Sequence, residues 1–290
     1  MDGETLVSGL AIGSVYALMG MSLLVVFKVT EILNFAQGQV GMFGAYVAIG
    51  IIALGGGIPL ATVVAVGAAT LLCLAIYRIP VRAMVVRGIG PFSVSISTFG
   101  VYLLVTGLAA LAWGHSGRPF PSIVGDRRVS LLGLGVSLDY LTILITALIV
   151  AGVTYVYYTH TGAGLAARAI ANDPVAAQLA GVDLGRATAV AWGLGGLISG
   201  VAAITVAPLT GASVDMMFPF LLKGMVAAVI GGLVSVPGAI LGGLLLGLSE
   251  SIAGSLLRGD IRDSVAVVVL MVALLLRPEG LFGVYRTRKV

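Results

Sequence analysis

Long apolar runs separated by short polar stretches dominate the chain. Runs close to the roughly 20 residues that an α-helix needs to cross a bilayer fall at 5–26, 36–54, 58–77, 92–113, 139–158, 187–208, 217–234, 237–257 and 264–276. The last is short, about 13 residues or roughly 20 Å at 1.5 Å per residue, so neighbours or a thinned bilayer must complete its span. Polar and apolar residues do not alternate within the runs, as they would in a membrane β-barrel. Every backbone amide in hydrocarbon must be satisfied inside a helix or a closed barrel. The pattern therefore predicts an all-α integral membrane protein, a polytopic bundle of about eight or nine transmembrane helices forming one domain over 1–290.

Composition strengthens this expectation. Charged residues make up 10% of the chain against 59% hydrophobic, whereas a soluble domain carries about 25% charge. Such a chain cannot cover a folded surface with water-compatible side chains, and it is too apolar to be disordered. One cysteine, Cys73, and two separated histidines, His115 and His160, leave no disulfide framework and no metal cluster. The net charge of +4 does not point to nucleic acid, because the basic residues flank apolar runs, where they orient a membrane protein. With the N-terminus outside and nine crossings, Lys28, Arg78, Arg82, Arg87, Arg168, Arg186, Arg277, Arg286, Arg288 and Lys289 share one side. Arg118, Arg127, Arg128, Arg258 and Arg262 share the other. The richer side is expected to be cytoplasmic, which puts the N-terminus outside and the C-terminus inside. Asp2 and Glu4 stand where a cleavable signal would carry basic residues, so the first helix is expected to be retained.

Glycines four apart, Gly9/Gly13, Gly196/Gly200, Gly238/Gly242 and Gly243/Gly247, put two bare patches on one helix face and allow close packing. Polar residues then mark five places. Asn34, Gln37 and Gln39, with Gly38, Gly41 and Gly44, form a polar, glycine-rich start to the second run. Amides beside glycine suit a broken helix lining a water-filled translocation path, and a turn capped by Asn34 is the plain alternative. Lys223 and Glu250 are the charges well inside apolar runs, at matching depth. Burying either in lipid costs at least about 2.5–3.5 kcal/mol, so they are expected to form an interhelical ion pair, with a role at the edge of the solute route as the lesser reading.

The fourth place is the polar loop 159–186. Asp173 suits an N-cap, Pro174 the first helical position and Gly181 the C-terminal cap, which predicts a short helix, Pro174–Ala180, outside the bilayer. The fifth is the outer loop 114–138, long enough for a small ordered cap, where Arg127 and Arg128 could meet an acidic partner. No P-loop of the form G-x-x-x-x-G-K-[S/T] is present, so the sequence shows no such nucleotide-binding loop of its own. The serines at 199, 249 and 251 have no histidine in any run to activate them, which argues against an enzyme. A secondary transporter or channel would need a coupling carboxylate, for which Glu250 is the one candidate.

Four stretches carry a family resemblance: Gly9–Tyr46 with its NFAQG turn, Thr161–Asp183 with DPVAAQLAG, Leu221–Glu250 with GGLVSVPGAILGG, and Leu276–Gly283, LRPEGLFG. In this order and spacing they resemble the inner-membrane permease subunits of branched-chain amino acid ABC importers, the hydrophobic amino acid uptake family. The resemblance implies a multi-pass permease of the bacterial inner membrane that pairs with a second, homologous permease. It further implies two cytoplasmic ATPase subunits, which hold the ATP and Mg, and an extracytoplasmic solute-binding protein, with no cofactor on this chain. Asn172, Asp173, Pro174, Ala177, Leu179, Ala180 and Gly181 then stand where the family's ATPase-coupling helix lies, and Asn34–Gln39 lies near the translocation path. Many relatives carry His and Glu where this chain has Gln37 and Gln39, so solute selection by charge there does not carry over. Urea and amide importers share the motifs, so the substrate does not follow from them.

Overall fold

The computed structural model of the chain describes residues 3–125, 128–131, 134–233, 235–256, 262–277 and 280–282. Each of the nine apolar runs falls on a helix: α1 Gly3–Thr30, α2 Gln37–Ala53, α3 Ile58–Ile76, α5 Pro91–Trp113, α6 Leu138–His160, α9 Leu184–Thr210, α10 Phe218–Gly231, α11 Val236–Leu256 and α12 Arg262–Leu276. Three short helices lie between them: α4 Arg82–Val86, α7 Gly162–Asn172 and α8 Pro174–Leu179. Six helices are long and apolar enough to cross a membrane, while α2, α10 and the apolar part of α12 are shorter.

The third run continues past its expected end. A wide π-type turn over Tyr77–Val81 takes in Pro80, and the helix carries on through α4. Proline lacks the N–H that a regular helical turn needs, and the wider turn absorbs that loss. The fold is also not purely helical. Arg128–Leu131 (β1) pairs antiparallel with Leu134–Ser137 (β2), Val129 opposite Val136. This hairpin is tied to the start of α1 by Arg128 and Glu4, 3.8 Å apart. Arg127 and the tail residues Pro278, Glu279 and Gly283 lie outside the described residues.

Helix α1 is the axis of the core. Its residues are buried on every face from Gly13 to Val26, which a helix apolar all round requires. It packs on α11, α10, α9 and α6, while α2 and α3 pack on α9. All four glycine pairs sit at helix contacts. A Cβ on Gly9 would stand 2.6 Å from Ser251 Cβ, one on Gly13 2.8 Å from the Gly243 carbonyl, and one on Gly247 would strike the Gly13 backbone. Gly196 and Gly200 face Cys73 and Ala69 of α3, and Gly238 and Gly242 face Gly231 and Ala227 of α10. The outward faces of α5 and α6 carry exposed Phe92, Leu104, Leu111, Leu148 and Val153, side chains that suit lipid or another helix rather than water.

Candidate functional site: a buried amide knot, an intramembrane ion pair and a projecting arm

Between α1 and α2 the chain leaves the helix. Glu31 takes φ +56°, the left-handed region that non-glycine residues seldom adopt, and this reverses the backbone. Side chains of α5 satisfy the unwound peptides: Leu33 N donates to Ser95 Oγ at 2.9 Å and Phe35 N to Thr98 Oγ1 at 2.9 Å. Asn34 accepts from Ala36 N at 3.1 Å and donates to Gln37 Oε1 at 2.7 Å. Ser199 of α9 donates to the Gln37 carbonyl at 2.7 Å, and Gln39 donates to the Val214 carbonyl at 3.1 Å and to the Thr106 hydroxyl. Asn34, Gln37 and Gln39 are each 0% exposed. The structure thus joins Asn34 and Gln37 in one knot and holds Gln39 separately against α5 and the Val214 carbonyl, all three inside the fold rather than on its surface. Among the described residues Gln37 Nε2 and Gln39 Oε1 have no hydrogen-bond partner, a state that costs about 1–3 kcal/mol per group.

A second polar cluster joins three helices. Lys223 Nζ of α10 lies 3.0 Å from Glu250 Oε1 of α11. Tyr16 of α1 donates from its hydroxyl to Glu250 Oε2 at 2.7 Å, and the ammonium sits 5.5 Å from the centre of the Tyr16 ring. Glu250 is 1% exposed, so its charge is compensated within the protein, as burial demands. Tyr16 escapes a reading by charge alone, since a tyrosine in an apolar helix passes for core.

The third feature projects. The Asp173 carboxylate accepts from Val175 N at 2.9 Å and Ala176 N at 3.0 Å, Pro174 opens α8, and Gly181 takes φ +87° just after its end. Ala180 is the C-cap of a helix ending at Leu179. Ala177 and Ile170 are buried in the core, whereas Val175 and Leu179, one turn apart, are 67% and 86% exposed. Asn172, Asp173, Pro174, Ala180 and Gly181 are exposed as well. Ala177 therefore anchors the arm, and Val175, which the motif did not single out, shares its outward face with Leu179. The arm meets α1 at the end opposite Glu4, around Lys28–Glu31, so it and the β-hairpin lie at opposite ends of the bundle.

A multi-helix apolar bundle with buried polar knots and a projecting, capped arm is the architecture of a polytopic membrane permease. Residues 5–275 match the family described as the branched-chain amino acid transport system / permease component, and the chain belongs to that family. Over 99% of its length it is 31% identical to the high-affinity branched-chain amino acid transport system permease protein BraD of Pseudomonas aeruginosa, covering 97% of that protein. It is 28% identical to LivH, the corresponding permease protein of Escherichia coli K12, over 99% of this chain and 97% of that one. It is 26% identical to a probable LivH of Methanocaldococcus jannaschii, over 98% and 92%. Among solved structures, PsaBC from Streptococcus pneumoniae in complex with Fab shares the fold with a TM-score of 0.54 at 13% identity, over 96% of this chain and 92% of that one. The chain is thus a multi-pass membrane transport subunit and not an enzyme.

Proposed function

We propose that this chain forms half of the translocation pathway of an ATP-driven importer of branched-chain or similarly apolar amino acids in the bacterial inner membrane. It works with a second, homologous permease, two cytoplasmic ATPase subunits and an extracytoplasmic solute-binding protein, its N-terminus outside and its C-terminus inside. The observation that carries the reading is the arm of a chain matched by its family over residues 5–275. A short helix is fixed to the core by Ala177 and presents Val175 and Leu179 outward, as a lever gripped by another subunit must. ATP-driven closure of the ATPases pushes on α8, and the push passes through α7 to α6 and through Asp183, which caps α9, to the bundle.

The amide knot supports a place for Asn34, Gln37 and Gln39 beside the route. Gln37 and Gln39 hold two unpaired amide atoms in the first turn of α2, beside a segment already unwound, so a solute or water reaching them gains hydrogen bonds without breaking a helix. An apolar solute is supported by the adjoining aromatic row Phe35, Phe99, Tyr102 and Phe218, whose successive ring centres lie 6.3, 5.3 and 5.3 Å apart. The Lys223–Glu250–Tyr16 cluster holds α10, α11 and α1 in register.

The test is uptake by vesicles containing the full complex. Leu179→Asp and Val175→Asp should leave membrane insertion intact while ATP-dependent leucine uptake falls at least about tenfold. Undiminished uptake with both changes combined defeats the lever, uptake without ATP or partners makes the chain a secondary transporter, and uptake of amides or urea in place of leucine replaces the substrate class.

A further inference from the structure

The end of the bundle that carries the arm also holds a trough unrelated to the solute route. One wall is the π turn and α4, with Val81, Arg82 and Val85. The other is the start of α9, with Leu184, and the floor is Ile32 and Ile170 beside Pro174. This cavity is about 390 Å³ and mostly apolar. It adjoins a second cavity of about 210 Å³ that shares Tyr77, Arg82 and Gly185 and adds Arg78, Asp183 and Arg186. Arg186 is occupied by Asp183, Nε to Oδ2 at 3.1 Å. Arg78 and Arg82, four residues apart across the π turn, are exposed, and among the described residues neither forms an ion pair. Lys28 and Glu31 line a separate cavity farther along, beside Pro174.

We propose that this trough binds an anionic phospholipid, its phosphate held by Arg78 and Arg82 and an acyl chain lying in the apolar channel between α4 and the arm. Chemistry and position select this occupant. The outer surface of the same wall exposes Ile79 at 72%, Val86 on the lining of the trough is 77% exposed, and the wall continues directly from the apolar run of α3, so the guanidinium groups stand where hydrocarbon gives way to headgroups. Arginines at that level extend their charge to the interface while their stems stay in apolar surroundings, and basic pockets between helices at the cytoplasmic face suit acidic headgroups. A peptide of a partner subunit has no need of a channel continuous with the lipid-facing wall. Because Pro174 and Ile170 of the arm line the trough beside α4, a bound lipid braces the arm against α4.

The site rests on the permease reading only for placing this end at a bilayer boundary, and its test does not involve import. The full complex purified in mild detergent is exposed to phosphatidylglycerol or phosphatidylethanolamine, and retained lipid is counted by native mass spectrometry. Phosphatidylglycerol should be retained in preference. The double change Arg78→Gln/Arg82→Gln should lower its retention by roughly tenfold, while Arg78→Lys/Arg82→Lys preserves most of it, as does Arg87→Gln at the end of α4. Equal retention of the two lipids, or no loss in the double Gln variant, overturns the proposal. So does retention of inorganic phosphate that displaces the lipid, which would mark a free-phosphate site. Cross-linking of Val85→Cys to a partner subunit would likewise assign the trough to protein.

Discussion

Three side chains hold the polar interior to a single arrangement. Glu250 at 1% exposure is matched by Lys223 at 3.0 Å and by the Tyr16 hydroxyl at 2.7 Å. Removing one partner of such a pair strands the other charge and costs about 3–5 kcal/mol, whereas removing both charges together is often close to neutral. Lys223→Met should therefore lower the melting temperature of the purified complex sharply, and Lys223→Met/Glu250→Gln should recover most of the loss. A loss in the double variant equal to the sum of the two single losses would show that the two charges act independently. Tyr16→Phe removes one charge-assisted hydrogen bond and should cost about 1.5–3 kcal/mol. The pairing of Lys223 with Glu250 was expected from the sequence because two charges at equal depth in lipid have few other options. Tyr16 was not, because a hydroxyl in an apolar helix gives no periodic signal.

Helices α1 and α11 approach so closely that glycine is obligatory on both. A methyl group on Gly247 would occupy the space of the Gly13 backbone, while Gly100, on the outward face of α5, has nothing within 4 Å. Gly247→Ala should push the helices apart, cost at least about 1–3 kcal/mol and reduce the yield of assembled protein, and Gly100→Ala should be tolerated. Monodispersity and thermal stability in detergent measure both. Residues 280–282 of the tail show a different dependence. Leu281 N donates to the Ile230 carbonyl at 2.8 Å and Phe282 N to the Gly231 carbonyl at 3.1 Å, satisfying carbonyls that the end of α10 leaves open. Gly280 takes φ +81° against Gly232. Gly280→Ala is strained there and should free the end of α10, read as faster hydrogen exchange at residues 229–232. The RPEGLFG motif was legible as a family mark, yet that it caps a helix about 50 residues earlier in the chain was not, since no local pattern links the two.

At the scale of the whole molecule, the two ends of the bundle carry different work. Glu4 and the β-hairpin lie at one end, and the arm, the π turn and the lipid trough lie at the other. Cys73, the only cysteine in the chain, is 0% exposed, so introduced thiols can be probed without removing it. In the proposed orientation, Glu4→Cys should react with a membrane-impermeant maleimide in intact cells, and Gln178→Cys should react only after the membrane is opened. The reverse pattern would invert the molecule and detach the arm from any cytoplasmic ATPase.

Hydropathy determined the nine apolar helices and their order, because lipid leaves a backbone no alternative to internal hydrogen bonding. Residue chemistry fixed the cap of α8 as well, since Asp173, Pro174 and Gly181 act on their own neighbours. Most other features of the fold, the Lys223–Glu250 pair aside, lay beyond the sequence. Threonine and serine of α5 satisfy the break before α2, the π turn carries α3 past Pro80 into α4, and burial of Ala177 turns Val175 and Leu179 outward. Each of these depends on which helix faces which, and a bundle apolar on nearly every face does not encode that in its periodicity. Close packing at glycine and the need to pair each buried polar atom decide it, and both are properties of the assembled fold.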